Sequence, residues 1–337
     1  MSKIEKEVNI AVDAMGGDKG PPVVVEGAIK ALQEGNFDLI FVGKEKDIED
    51  ELNKYKFDPS RVSIVHASQV IEMGESPVTA CKKKPDSSIM VCTRLLKEGR
   101  ADAFVSTGNT GAVVVSSLFT LGKLKGIDRP GIAVMQPTLK GFFLLIDAGA
   151  TVDCKPKNLL QFAIMGKIFM ESVYNYKNPR IGLLSVGEEP SKGDELTVAV
   201  HDLLKNSNIN FVGNIEGTDI VGNKVDIIVC NGFVGNIVLK FAENLFRVAG
   251  ILVRREFVRQ RIVPSLFKEA FENFKKKVDY AEYGGAPLLG VNGIGVVSHG
   301  KSSSKAIKNA IRVASEEVTH NLNQHITEYI EKERGNF

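Results

Sequence analysis

The sequence predicts an α/β fold of the doubly wound kind, a mostly parallel sheet with helices on both faces. Two observations predict it. Short apolar runs rich in Val and Ile recur at residues 8–14 (VNIAVDA), 38–43 (DLIFVG), 62–67 (VSIVHA), 101–107 (ADAFVST), 131–137 (GIAVMQP), 142–148 (FFLLIDA), 180–186 (RIGLLSV), 210–216 (NFVGNIE), 225–231 (VDIIVCN) and 295–300 (GVVSHG). These runs are unbroken, as in strands buried on both faces, and helical patterns separate them, which is the spacing of βαβ units.

The helices follow from periodicity and end signals. After Pro21 and Pro22, Val25, Ala28, Ile29 and Leu32 recur at helical spacing and the pattern stops near Gly35; proline sits where the first helical N–H has no acceptor in any case. Pro156 opens a helix with Leu159, Leu160, Ala163, Ile164, Ile168 and Phe169 on one face. The longest pattern runs from about Asn236 to Val278. Within it, residues 248–280 are expected to form an amphipathic helical protrusion. Val263, Leu266, Phe267, Ala270, Phe271, Phe274 and Val278 make one face apolar, Pro264 breaks the helix, and Arg254, Arg255, Arg259, Arg261, Lys268 and Lys275 to Lys277 make the region basic. Such a segment serves as a core helix with a solvated face, or as a surface for an acidic protein or anionic lipid.

Composition bounds the function. A length of 337 residues admits two domains or one large α/β domain with a lobe; a single unit over 1–337 carrying the protrusion is expected. The net charge of +2 gives no global pull toward nucleic acid. Cys81, Cys92, Cys154 and Cys230 form no CxxC pair, which argues against structural zinc, and no other metal site is indicated. Neither a signal-peptide core nor a long uncharged apolar window is present, so a cytoplasmic protein with reduced thiols is expected.

Glycine turns follow the predicted strands, at the carboxyl ends where doubly wound sheets bind ligands. They are DAMGGDKGP (13–21), STGNTG (106–111), DAGA (147–150), VGEEPSKG (186–193) and CNGFVGN (230–236). Together they are expected to line one cleft. None matches GxGxxG or the nucleotide P-loop, so neither dinucleotide nor nucleoside triphosphate is signalled. In STGNTG the glycines let backbone approach a ligand, Ser106, Thr107, Asn109 and Thr110 offer hydrogen bonds, and a helix opening at Ala112 presents unpaired N–H groups, which is an anion site. The alternative is that Asn109 or Thr110 caps its helix. Asp13 and Asp18 flank Gly16 and Gly17, and Asp147 ends its strand; each carboxylate could orient a proton, bind a cation or close an Asx turn. Lys192 could balance a phosphate or pair with Glu195, beside Glu188 and Glu189. Near the C-terminus, His299, Gly300 and Lys301 with three serines precede a strong helix, where positive charge suits an anion and Ser302 or Ser303 could cap.

Several segments carry a resemblance: AVDAMGGDKGP at the start, HASQVIEMGESPVTACKKKPDSSI (66–89), ADAFVSTGNTGA (101–112), LLIDAGATVDCKPKNLLQFAIMG (144–166), GLLSVGEEPSKG (182–193), VDIIVCNGFVGNIVLK (225–240) and YGGAPLLGVNGIGVVSHGKSS (283–303). Nearly from end to end the chain resembles the bacterial phosphate acyltransferases of the PlsX family, acyl-(acyl carrier protein):phosphate transacylases that begin membrane phospholipid synthesis. The resemblance implies an α/β/α three-layer fold like that of isocitrate and isopropylmalate dehydrogenases, shared with phosphotransacetylases, and usually a homodimer. It implies transfer of an acyl group from acyl carrier protein to inorganic phosphate, peripheral membrane association, and delivery of the acyl phosphate to a membrane acyltransferase. No cofactor is expected.

Joined to the residue reading, this assigns phosphate and oxyanion contacts to Asn109, Thr110, Lys192 and the backbone of Gly108 and Gly111, and orienting or proton-handling roles to Asp13, Asp18 and Asp147. Gly16, Gly17, Thr107, Glu188, Asn231, Asn236, His299 and Lys301 complete the expected lining. Arg254, Arg255, Arg259 and Arg261 are the expected carrier-protein or membrane surface. Lacking a Cys–His or Ser–His–Asp trio, the chain is expected to use direct attack by phosphate, with Cys81, Cys154 and Cys230 as the residues to watch for a covalent route. Competing readings are a coenzyme A-dependent phosphotransacylase, an NAD-linked decarboxylating dehydrogenase on the related fold, and a non-catalytic membrane scaffold.

Overall fold

The computed structural model describes residues 8–138, 140–259 and 284–333. Its elements in chain order are β1 (Val8–Asp13), α1 (Pro21–Glu34), β2 (Phe37–Gly43), α2 (Glu45–Leu52), β3 (Val62–His66), α3 (Pro77–Lys83), α4 (Ser88–Lys97), β4 (Ala103–Ser106), α5 (Thr110–Thr120), β5 (Gly131–Thr138), β6 (Gly141–Ile146), α6 (Pro156–Val173), β7 (Ile181–Leu184), α7 (Glu195–Lys205), β8 (Phe211–Ile215), β9 (Ile227–Val229), α8 (Gly232–Arg259), β10 (Ala286–Leu289), β11 (Ile294–Val297), α9 (Ser304–Thr319) and α10 (Leu322–Lys332). The strands form one sheet in the order β3-β2-β1-β4-β11-β10-β5-β6-β9-β7-β8.

The sheet is two parallel half-sheets of opposite direction. Strands β3, β2, β1, β4 and β11 are parallel to one another, as are β6, β9, β7 and β8. Between the halves, β10 is antiparallel to both β11 and β5, and β5 is antiparallel to β6. Every predicted strand is present and most pairings are parallel, as expected, but the two halves run in opposite directions. The sequence reading missed β10, whose short APLL run follows Gly284 and Gly285 and contains Pro287, a poor strand signal. This strand also sets the offset of the halves. Ala286 pairs with Val297 at the carboxyl end of β11, and Leu288 pairs with Ile132 at the start of β5, beside the carboxyl end of β6. The carboxyl ends of the two opposed halves therefore meet across β10.

Strand residues alternate between the two faces, and both faces are covered. Ile10 and Val12 join the core under α1 and α9, whereas Ala11 joins the core under α4 and α5. In the other half, Leu144 and Ile146 face α6, α7 and α10, while Phe143 and Leu145 face the opposite side, where Val234, Val238 and Leu239 of α8 lie. This is the three-layer arrangement expected. The end signals act locally as read: Pro21 and Pro22 open α1, Gly35 follows its last residue, and Pro156 opens α6. Helix α8 begins four residues before the predicted start, and it is described to Arg259; the rest of the predicted protrusion, with Arg261 and the apolar face from Val263 to Val278, lies outside the described residues. No described helix is long and apolar enough to cross a membrane.

One buried carboxyl stands apart. Glu317 on α9 is fully buried, its Oε1 has no hydrogen-bond partner among the described residues, and burial, with Glu316 adding to it, pushes its carboxyl well above the usual range. A raised folded-state pKa means the folded chain holds a proton that the unfolded chain has released. Its favourable contribution is complete below the ordinary carboxylate pKa and is lost as pH rises through the folded value. Replacing Glu317 by Gln should therefore raise the urea midpoint at pH 8 and leave it nearly unchanged at pH 4, flattening this part of the stability–pH curve.

Candidate active site

The first half-sheet ends in one row, with Asp13, Ser106 and Val297 in register on neighbouring strands. The three turns that leave this row interlock through their backbones. Ser298 N–H donates to the Ser106 carbonyl at 2.8 Å, and Asp18 N–H donates to the Gly300 carbonyl at 2.8 Å. A Cβ on Gly16 would stand 2.6 Å from the Gly108 nitrogen; on Gly17, where φ is 79°, it would stand 2.9 Å from both the Gly300 carbonyl and Thr107 Oγ1. Only glycine allows this approach.

Asp13 is buried, and both its oxygens are engaged. Ser106 Oγ donates to Oδ2 at 2.6 Å, Met15 N–H donates to Oδ1 at 3.2 Å, and Ser106 Oγ in turn accepts the Gly108 N–H at 3.0 Å. Burial pushes the Asp13 carboxyl up and the hydrogen bonds, led by that from Ser106, pull against it. These bonds give Asp13 a structural part: it holds the STGNTG turn to β1. Asp18 is exposed at the rim.

Asn109 does something the sequence could not separate from anion binding. Its Oδ1 accepts the Ala112 N–H at 3.1 Å, capping α5, while its Nδ2 donates to the carbonyls of Glu72, Met73 and Glu75 at 3.0–3.3 Å. The side chain thus caps its helix and clamps the 72–75 loop. What remains at the helix start are the N–H groups of Thr110 and Gly111, which have no acceptor within the helix. Thr107 Oγ1 is buried beside Gly17 without a partner among the described residues.

In the second half-sheet, Asp147 is buried and ties up its own turn. Its Oδ1 accepts N–H groups of Ile132, Gly149 and Ala150 at 2.8–2.9 Å, and its Oδ2 accepts that of Thr151 at 2.6 Å. Burial pushes this carboxyl up against those four bonds. It too fixes the shape of its turn. Gly235 lies against the Asp147 carbonyl and Gly232 against that of Thr151, so α8 starts hard against the DAGA turn. Asn231 caps this helix, accepting the Val234 N–H at 2.9 Å, while Asn236, one turn on, stands beside Gly149.

Where the carboxyl ends meet lies a cleft of about 430 Å³. Its polar wall comprises Thr110, Gly111, Ser298, His299, Gly300, Asn236 and Lys240, and Glu243 stands with them. Its apolar floor comprises Ile132, Val134 and Met135 of β5, Leu239, Ala286 and Val297. Of the predicted turns, STGNTG, DAGA, CNGFVGN and the His299–Gly300 turn reach the cleft directly, and the Gly16–Asp18 turn backs it. The turn at 186–193 does not line it. Glu188 pairs with Lys224, and the Lys192 backbone bonds to Glu189 and Ser185 while its exposed side chain lies over Gly187. Strand β9 separates β7, which carries this turn, from β6. Lys301 is exposed, its N–H donating to His299 Nδ1 at 3.1 Å, and Ser303 caps α9. The sequence reading missed Met73, Ser298, Lys240 and Glu243. The last two carried a signal, because Asn236, Lys240 and Glu243 fall at i, i+4 and i+7 on one helix face.

All four cysteines are free, and their thiols are pushed up, that of Cys154 to about 11 by burial and by Asp147. Among the described residues no group of three or more His, Cys, Asp or Glu could hold a metal ion.

The cleft thus sets an apolar floor beside a wall that carries Thr110, Gly111, Asn236, Lys240, Glu243 and His299. The structure is similar to a phosphotransacetylase from Streptococcus pyogenes, with TM-score 0.65 and 18% identity over 93% of this chain and 94% of that one. It is also similar to 4-hydroxythreonine-4-phosphate dehydrogenase from Klebsiella pneumoniae, with TM-score 0.52 and 14% identity over 95% and 100%. Identities this low show the shared fold alone. The sequence is closer to others: it is 49% identical to the phosphate acyltransferase of Heliobacterium modesticaldum over 96% of this chain and 98% of that one, and 47% identical to that of Geotalea daltonii over 96% and 95%. It matches the family described as fatty acid synthesis protein over residues 8–325. The chain belongs to this family, the PlsX family, and is an acyltransferase.

Replacing Asn109 by Ala removes a helix cap and the clamp on the 72–75 loop, and should cost about 2 kcal/mol of stability. Lys192→Ala should stay within about 0.5 kcal/mol of the wild type. Chemical denaturation of both variants tests the contrast.

Proposed function

We propose that the protein transfers a fatty acyl group from acyl-(acyl carrier protein) to inorganic phosphate, giving acyl phosphate for phosphatidic acid synthesis. The observation that carries this reading is the cleft itself, in which the polar wall and the apolar floor lie side by side at the junction of the half-sheets. The names of the relatives support phosphate as the acceptor.

Phosphate is already largely ionised at neutral pH, so the site must hold a nucleophile and need not generate one. The Thr110 and Gly111 N–H groups at the start of α5 suit its oxygens, with Lys240 supplying positive charge and His299 and Asn236 neutral donors. The thioester carbonyl lies alongside, its acyl chain on Ile132, Val134, Met135 and Leu239. Attack by a held phosphate gains from proximity, and donors fixed before reaction stabilise the oxyanion. A covalent acyl-enzyme route through cysteine is disfavoured, because thiols with raised pKa values are poor nucleophiles near neutrality. Discrimination between carrier protein and coenzyme A rests on the surface beyond the cleft. There α8 carries Arg254, Arg255 and Arg259 at its exposed end, suited to an acidic carrier protein or to anionic headgroups. The same helix exposes Phe233, Ile237, Phe241, Leu245, Val248 and Leu252 along one face, an apolar stripe that supports pairing with a second copy. Peripheral membrane contact and delivery of the product to a membrane acyltransferase complete the reading.

Palmitoyl-carrier protein with phosphate should yield palmitoyl phosphate, and palmitoyl-coenzyme A should not. Lys240→Met should raise the KM for phosphate about tenfold with the melting temperature unchanged. An unchanged KM would remove Lys240 from the anion site. Intact-protein mass spectrometry after mixing with the acyl donor alone should show no acyl adduct; an adduct on Cys81, Cys154 or Cys230 would overturn direct attack.

A further inference from the structure

Acyl transfer to phosphate leaves one proton to be moved. Hydrogen phosphate must lose its hydroxyl proton as the new O–C bond forms, and the sulfur released when the C–S bond breaks must gain one. The acidic side chains first read as candidates are badly placed for this. Asp13 and Asp147 are buried, with their oxygens committed to turn N–H groups and Ser106, and Asp18 stands exposed at the rim. His299 Nδ1 accepts the Lys301 N–H, so the neutral ring carries its proton on Nε2 and acts there as a donor. Glu243 is the remaining acid of the cleft. It shares one face of α8 with Asn236 and Lys240, and it lies near His299 of the opposite turn.

We propose that Glu243 is the proton carrier of the transfer. Its carboxylate takes the hydroxyl proton of hydrogen phosphate as the phosphate oxygen bonds to the thioester carbon, and returns it to the sulfur as the C–S bond breaks. Thioester and hydrogen phosphate become acyl phosphate and free thiol, Glu243 ends as it began, and no further reactant is needed. Placement supports the role. Half-burial pushes the Glu243 carboxyl above its usual range, with His299 and Lys240 restraining that rise, so the group is a better base than an exposed glutamate. His299 and Lys240 also line the cleft, which puts the carboxylate at the edge of the anion it would deprotonate.

The inference rests on the phosphate acyltransfer reading, and the test separates the two. With palmitoyl-carrier protein and phosphate, Glu243→Gln should lower kcat about 100-fold while both KM values stay within about threefold of wild type. Glu243→Asp should recover part of that loss. A thiophenyl palmitoyl ester, whose thiol leaves without protonation, should shrink the Gln defect to less than about tenfold. Glu243 is half-exposed, so both variants should melt with the wild type. A Gln variant with kcat within about threefold of wild type, or an equal defect with both donors, overturns the proton-carrier role and leaves the acyltransfer reading intact. Wild-type protein that makes no acyl phosphate overturns both.

Discussion

The constraint on which everything else depends is the register of β10. A strand of four residues joins two half-sheets running in opposite directions, and it does so with an offset: Ala286 stands at the carboxyl end of one half and Leu288 at the carboxyl end of the other. In a continuous parallel sheet all strands end on one side and the turns share one rim. In an antiparallel join without offset, the two sets of turns would lie at opposite edges. The offset removes that separation, so STGNTG and the His299 turn from one half face DAGA and the start of α8 from the other. The floor of the cleft is the join itself, since Ile132, Val134, Ala286 and Val297 are residues of β5, β10 and β11.

Close backbone contact then replaces side-chain machinery. Gly16 against Gly108, Gly17 against Gly300, Gly232 against Thr151 and Gly235 against Asp147 are approaches that a Cβ would block. Two buried aspartates fix the turns so produced, one in each half, and both have carboxyls raised by burial and held by hydrogen bonds. A buried carboxylate with both oxygens hydrogen-bonded into its turns is a rigid part of the fold. The most buried acids of the site are therefore parts of its frame, and the proposed proton carrier is the half-buried acid at its edge.

The strands and most helix limits were legible in the sequence because local physics sets them. Unbroken Val/Ile runs mark strands covered on both faces, Pro21, Pro22 and Pro156 mark helix starts, and the Gly-rich turns mark strand ends. The direction of the second half-sheet was not legible, since it depends on β10, which looks like a loop when read alone. Of the site, the turns were legible and the duties of their side chains were not. Asn109 was weighed as a ligand or a cap, and it caps because the 72–75 carbonyls come within reach of its amide, a contact spanning 36 residues of chain in the case of Met73. Lys192 drew weight from a turn at a strand's carboxyl end, but that condition is necessary and not sufficient: β9 intervenes. Lys240 and Glu243 were passed over because charges in a long amphipathic helix are usually its solvated face.

The electrostatics of the cleft follow from the same division of labour. A dianion held mainly by lysines would be bound tightly as a ground state, and uniform binding of that kind lowers KM without raising kcat. Helix N–H groups differ, because they are fixed in direction by the fold and cost no reorganisation as charge moves from the attacking oxygen to the carbonyl oxygen and on to sulfur. Few cations are therefore needed. The chain as a whole is nearly neutral, and the described cleft sets Lys240 and His299 against Glu243. An acid beside an anion site opposes binding of the anion, and the proposed role of Glu243 turns that opposition to use when the anion reacts. In the proposed transfer, a partly repulsive ground state is relieved as the proton leaves phosphate for the carboxylate, and the relief appears in the transition state.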